Sequence, residues 1–346
     1  MGMGGATNRA VRWPGDPHSE KRDKRVQVLV TGATGFVGRA VIGRLLAVGH
    51  GVIAATRRPH SGPNNGHVRW QQVGDIDGTT DWAETLAGVE AVIHLAARTH
   101  RPGETHRQAH AAYRSVNVEG TRRLATQARQ AGVRRLVFVS SVKAQAERSE
   151  RPLREDDRPY PEDIYGITKL EAESALKADL NGGPTAYTIV RPPLVYGPGV
   201  QANLESLARA ALAGWPLPFA WVENRRSLIG VDNLADLLVH ALAHPAAADR
   251  LFLASDGQDL SLPDLVRRIS RVGGRSARLF PVPPSWLRAG LRLAGRAGLA
   301  DRLLGSLFVD SGRVRADLDW TPPVALDSGL AAMVAELTSS RGHAAD

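Results

Sequence analysis

The sequence predicts an α/β fold: a doubly wound parallel sheet followed by a smaller C-terminal lobe of the same class. Three observations predict it. Apolar strand-like runs alternate with segments of helical periodicity, a glycine-rich turn joins the first strand to the first helix, and the rhythm changes after Arg191.

The elements follow in order. VQVLV from Val26 reads as a strand, and FVGRAVIGRLLAV as a helix closed by Gly49 at the position where a left-handed residue ends helices. Val52 to Ala55 and Arg69 to Val73 read as two short strands, Trp82 to Ala87 as a helix, and AVIHLAA as a buried strand. The helix NVEGTRRLATQARQAG and the strand RRLVFVSS repeat the pattern. After RPPLVYGPG come a helix from Leu204 to Ala213, the segment PLPFAW, and VDNLADLLVHALAH, which is expected to return to the sheet layer. From Leu260 onward further helices are expected, with short strands around PVPPSW and DWTPPVAL. The expected organisation is a disordered basic tail over 1–25 and a Rossmann-type domain over 26–190, to which 226–250 returns. The substrate-binding lobe takes 191–225 and 251–338, and a tail takes 339–346.

Composition narrows the classes. The chain has 346 residues, 43% of them hydrophobic, and no cysteine, which removes disulfide scaffolds, thiolate metal sites and cysteine nucleophiles. The absence of cysteine and of an apolar leader in the opening residues fits a cytoplasmic protein. The net charge is +9; the first 25 residues hold six basic side chains against three acidic ones, and the rest of the excess is spread thinly. No basic stripe interleaved with aromatics appears, so no nucleic-acid partner is expected. No run of about 18 apolar residues exists for a membrane span, so stable membrane insertion is not expected.

TGATGFVG, between the first strand and the first helix, sets Gly32, Gly35, Phe36, Val37 and Gly38 where backbone must approach a pyrophosphate. The helix N-terminus there offers N–H groups to its oxygens. The second strand ends in Thr56, Arg57 and Arg58 with no carboxylate for an adenosine ribose. Two guanidinium groups are instead available for a 2′-phosphate, which favours NADP(H) over NAD(H). Asp75 and Ile76 are candidates for the adenine.

YGITK and the helical LEAESALKA after it put Tyr165 and Lys169 one turn apart on a single helix face. An ammonium beside a phenol favours the phenolate, which makes the pair competent for proton transfer. Ser140 and Ser141 close an apolar strand at the sheet end where ligands bind, and one hydroxyl is expected to face the substrate oxygen.

With TGATGFVG, VIHLAAR, NVEGT, FVSS, YGITK and RPPLVYGPG in this order, the chain resembles the extended short-chain dehydrogenase/reductases from about Val26 to Thr338. It is most similar to their nucleotide-sugar epimerase/dehydratase branch, the UDP-hexose 4-epimerase-like and UDP-4-keto-sugar reductase proteins. The resemblance implies catalysis by Ser141, Tyr165 and Lys169, and cofactor contacts at Leu95, Ala96, Ala97, Asn117 and Pro192. It implies substrate contacts at Asn203, Leu204, Arg226, Gly305 and Ser306, and a homodimer built on a helical face. One departure stands out: Val142 to Ala146 reads VKAQA where the family continues toward Val-Tyr-Gly. A sugar-facing contact is therefore expected to differ, and Lys143 is left two roles, a surface ion pair or contact with an anionic substrate group.

Because the arginines favour NADP, the expected reaction is NADPH-dependent reduction of a UDP-4-keto-6-deoxy-hexosamine in surface-polysaccharide synthesis. UDP-hexose 4-epimerisation with retained NAD is the alternative, and a non-catalytic NADP-binding sensor or structural subunit a second. His100, His106 and His110, like His240 with His244, lack a clear carboxylate or thiolate to complete a site, so no metal is expected. WLRAGLRLAGRAGLADRLLGSL alternates apolar residues and arginines. An ordinary lobe or lid helix is expected there, with an anionic membrane surface as the alternative.

Overall fold

The computed structural model describes residues 26–60, 66–99, 106–295 and 297–342. The tail expected over 1–25, His100 and residues 343–346 lie outside them, and so does the side chain of His106.

Strands β1 (Gln27–Thr31), β2 (Gly51–Thr56) and β3 (Val68–Gln72) alternate with helices α1 (Phe36–Ala47) and α2 (Ala83–Leu86), and β4 (Ala91–His94) follows. Helix α3 (His106–Arg114) runs through a π-helical turn, Ser115–Glu119, into α4 (Gly120–Gln130). Then come β5 (Arg135–Val139), a 3₁₀ turn at Val142–Ala144, α5 (Ile164–Leu180) and β6 (Ala186–Arg191). The chain continues through β7 (Leu194–Tyr196), α6 (Ala202–Leu212), β8 (Leu228–Gly230), α7 (Val231–Ala243) and β9 (Arg250–Leu253). It ends in α8 (Leu262–Val272), α9 (Pro284–Leu293), α10 (Ala297–Leu304), α11 (Gly312–Leu318) and α12 (Leu326–Gly342).

Seven parallel strands lie in the order β3-β2-β1-β4-β5-β6-β9. The order reverses between β1 and β4, so a crevice opens at their carboxyl ends, where open α/β sheets hold their ligands. The strands on both sides of it are continuous apolar runs because helices cover both faces. Gly49 (φ +86°) closes α1, its amide bonding the Leu46 carbonyl. A separate apolar core, from Tyr196 and Val200 through Ile269 to Met333 and Leu337, builds the lobe around the two-stranded β7-β8 sheet.

Four details differ from the sequence reading. The return to the main sheet runs to Leu253, past the expected boundary at 250, because β9 pairs with β6 as far as Arg191. Helix α12 passes residue 338, and the helix expected from Trp82 to Ala87 is one short turn. Leu279 forms only an isolated bridge where a strand was expected around PVPPSW, and no strand forms around DWTPPVAL, since prolines 281, 283, 284, 322 and 323 supply no donors to a ladder. No helix among the described residues is long and apolar enough to cross a membrane.

Candidate active site

The glycine-rich turn is shaped by backbone approach. Gly32 sits at φ +68°, and a Cβ there would come within 2.9 Å of the Ala96 nitrogen; a Cβ on Gly38 would collide with the Gly32 carbonyl. Helix α1 begins at Gly35 with no side chain capping its N-terminus. The cradle therefore suits a pyrophosphate, being narrow, lined by backbone N–H groups and closed by residues without side chains.

Beneath it the polar groups bond in one direction. The Thr31 hydroxyl accepts from the Leu95 and Ala96 amides at 3.2 and 3.1 Å, so its proton goes to His94 Nδ1 at 2.6 Å. His94 Nε2 must then carry the ring proton and donate to Thr121 Oγ1 at 3.0 Å, and Thr121 donates to the Asn117 carbonyl at 2.6 Å. Burial, with Lys169 adding to it, pushes His94 down to about 3, so the ring is neutral. Leu95 and Ala96 are thus held at the crevice by their amides. Asn117 lies in the π-helical turn, where its side chain accepts from the Arg98 amide at 2.7 Å and donates to Thr168 Oγ1 at 3.0 Å. Its side-chain amide thereby fixes the loop after β4, also donating to the Arg98 carbonyl at 3.2 Å.

At the end of β2, Arg57 and Arg58 are exposed, and Arg57 Nε lies 3.8 Å from Asp75. A carboxylate absent from β2 itself is thus supplied after β3. Ile76 is half-buried and reaches α4, where a Cβ on Gly120 would meet it at 2.8 Å.

The two serines after β5 point to different places. Ser140 is buried and donates to Glu173, which is locked to Arg191 by bonds of 2.8 and 2.6 Å. Ser141 instead faces the cleft, its oxygen accepting from the Lys143 amide at 3.2 Å. Asp163 caps α5 by accepting from the Gly166 amide at 2.7 Å, and also accepts from Lys143 Nζ at 2.6 Å. Gly166 lets the first turn of α5 press against the Lys143 carbonyl, a position any Cβ would block. Together these contacts bring half-buried Tyr165 beside Ser141. Burial and the Asp163 charge push the phenol up to about 12, and the Ser141 hydroxyl pulls it part of the way back.

Lys169 departs from the sequence reading. Its Nζ donates to the Val139 carbonyl at 2.7 Å above the Phe138 ring, and burial pulls it down to about 7 against the opposing Glu173 charge. The phenol is therefore protonated at neutral pH in this structure, and is not lowered by an ammonium as the spacing suggested.

A cleft of about 280 Å³ opens from Ser141 toward the lobe, lined by Lys143, Leu194, Asn203, Leu204, Arg226 and Leu303 among others. Lys143 pairs with Glu147 at 2.9 Å as well as Asp163, so the departure from the family pattern places an ion cluster, not a lone cation, on the wall. Pro193 lines the cleft, while the Pro192 carbonyl accepts from the Val142 amide at 2.9 Å. Arg226 NH1 donates to the Arg302 and Gly305 carbonyls at 2.8 and 3.0 Å. Gly305 and Ser306 do not line the cleft; the Ser306 hydroxyl accepts from the Arg225 amide at 3.0 Å, so both brace the 224–226 segment from behind. His240 Nε2 lies 2.9 Å from the Leu318 carbonyl, and among the described residues no group of three His, Asp or Glu side chains forms a metal site.

Sequence reasoning missed Asp163, Glu173 and the His94 chain. The Asp before IYG is a readable cap signal, and Glu173 stands four residues after Lys169 on the same helix. The His94 chain joins four separate elements and leaves no local pattern.

A family model described as "NAD dependent epimerase/dehydratase family" matches residues 28–252. A Vibrio cholerae protein named UDP-glucose 4-epimerase is 37% identical over 305 residues, 87% of this chain and 92% of its own. N-acetyl-alpha-D-glucosaminyl-diphospho-ditrans,octacis-undecaprenol 4-epimerase of Escherichia coli O157:H7 is 28% identical over 70% of this chain and 71% of its own. Among solved structures, MoeE5 in complex with UDP-glucose and NAD superposes with a TM-score of 0.71 at 26% identity, covering 91% of this chain and 99% of that one.

Proposed function

The chain belongs to the NAD dependent epimerase/dehydratase family and is an NAD(P)-dependent enzyme of nucleotide sugars; from that premise we propose that it is a UDP-hexose 4-epimerase that retains NAD. The observation that carries the reading is the pairing of Tyr165 with Ser141, which lines a cleft that has Asn203 and Arg226 along its length. The two paired hydroxyls can share the proton of a sugar hydroxyl, while an amide and a guanidinium along the cleft suit a diphosphate. The 37% identical relative, matched over most of both chains, and the UDP-glucose and NAD of the MoeE5 complex support the same choice.

NAD bound over the cradle of Gly32, Gly35 and Gly38 supplies the hydride acceptor for C4. This chain's own groups handle the proton. Tyr165, a protonated phenol in the free protein, has to act as the phenolate once cofactor and sugar are bound; it then takes the proton from the C4 hydroxyl as the keto-sugar forms and returns it to the same oxygen after the sugar has turned. Ser141 hydrogen-bonds that oxygen throughout, so the developing charge never stands alone. Lys169 does not lower the phenol in the free protein, but it titrates near neutrality at about 7 and favours the phenolate whenever it carries its proton. Arg226, braced by two carbonyls, holds a diphosphate oxygen.

A second reading, NADPH-dependent reduction of a UDP-4-keto-6-deoxy-hexosamine, is favoured by Arg57 and Arg58, both exposed at the end of β2. The Arg57–Asp75 pair places it second, because a carboxylate there opposes a 2′-phosphate. Proton NMR of UDP-galactose incubated with the protein and no added nucleotide tests the choice. Growth of UDP-glucose supports the epimerase. No conversion, with NADPH consumed on a UDP-4-keto-sugar, supports the reductase. Tyr165→Phe should lower turnover by about 10²–10⁴-fold while leaving bound nucleotide unchanged; unimpaired turnover removes Tyr165 from the chemistry.

A further inference from the structure

Helix α9 has no buried residue along its length. Leu287 and Leu291, one turn apart, pack toward the lobe core, while Trp286 and Leu293, seven residues apart on another face, are 72% and 91% exposed. They are not isolated. Trp215, Trp221 and Phe280 are also exposed and lie on the two segments that join beside α9: the Leu217 amide bonds the Arg278 carbonyl at 2.8 Å, the Phe280 amide bonds the Leu217 carbonyl at 3.0 Å, and the Ala220 amide bonds the Phe280 carbonyl at 3.2 Å. Five of the seven large exposed apolar side chains among the described residues come from α9 and these two segments, a concentration that scattered surface residues do not produce.

The charge around them has one sign. From Leu265 to Ala300 the sequence holds eight arginines and no carboxylate. Arg267, Arg268 and Arg271 pair with Asp264 and Asp327, but Arg275, Arg278, Arg288 and Arg292 enter no ion pair among the described residues. Glu223 and Asp301 are the flanking carboxylates, outnumbered by those four arginines. Tryptophans and leucines beside snorkelling arginines are the composition of a segment that lies in a lipid headgroup layer.

We propose that the face formed by α9 and the 215–221 segment docks the enzyme peripherally on an anionic phospholipid bilayer. A second copy of the chain is the weaker occupant, since a two-fold contact would set these arginines against one another, whereas lipid phosphates neutralise them. Docking leaves the cleft at the interface, because α10, packed against α9, supplies Leu303 and Arg302 to its wall. The proposal stands independently of which sugar reaction the enzyme performs.

Flotation of the full chain with vesicles tests it, using phosphatidylcholine alone and phosphatidylcholine with about 30% phosphatidylglycerol. The protein is expected to float with the anionic vesicles only, less so at about 0.5 M salt, with tryptophan emission shifted to the blue. The double variant Trp286→Ser/Leu293→Ser, distant from Tyr165 and still folded by circular dichroism, is expected to partition at least about tenfold more weakly. Three results would overturn the proposal: no flotation on anionic vesicles, equal flotation of wild type and variant, or loss of a vesicle-free dimer in the variant by ultracentrifugation. Equal flotation would assign binding to the basic residues 1–25, and dimer loss would assign the face to a second copy.

Discussion

Gly166 shows how far the geometry of Tyr165 depends on a neighbour that does no chemistry. A methyl group at this position would push the first turn of α5 away from the Lys143 carbonyl and carry the phenol with it. Gly166→Ala is expected to lower kcat by about 10²-fold with little change in KM, because a displacement of about 1 Å is enough to spoil proton transfer; steady-state kinetics on UDP-galactose reads the split. Lys169 gives a pH signature. Its pKa falls from 10.5 to about 7 on folding, so between those values the unfolded chain binds the extra proton and stability rises with pH. Lys169→Met should therefore out-stabilise the wild type most near pH 7, with the gap closing toward pH 10, as urea midpoints would report. The identities of Ser141, Tyr165 and Lys169 were legible because each sits in a short motif. Their protonation was not, because it comes from burial and from Asp163, Glu173 and the Val139 carbonyl.

Between elements, two polar constructions hold the site together. The Glu173–Arg191 pair joins α5 to β6, with Ser140 and Gln145 completing its bonds. Removing one partner strands the other charge in the core, so Glu173→Ala should cost about 3–5 kcal/mol in denaturant unfolding; a loss below about 1 kcal/mol would mean that the pair is not buried as described. The His94 chain ties β1, β4 and α4 under the cradle. Folded His94 titrates near 3 and unfolded His94 near 6.5, so the unfolded chain binds the proton between those values and stability falls as pH drops from 6.5 toward 3. His94→Gln should flatten that decline. The strands and long helices were readable from periodicity. The π-helical turn at Ser115–Glu119 was not, since one inserted residue leaves apolar spacing almost unchanged.

Across the whole molecule, the seven-stranded order puts the glycine-rich turn, the β4 loop and the end of β5 along one edge, and the lobe closes over them with Asn203 and Arg226. This convergence was legible because the motifs fall at strand ends in chain order. The shape of the lobe was not, because it rests on long-range bridges such as Arg226 with Leu260 and Leu307, which no local pattern encodes. The cofactor choice also belongs to this scale: Arg57 and Asp75 are eighteen residues apart in sequence and adjacent in the fold. Mass spectrometry of the nucleotide released when the desalted protein is heat-denatured tests the retained-cofactor epimerase most directly. Equimolar NAD is the expected result; an empty protein, or one that releases NADP, would contradict it and put the exchanging reductase first.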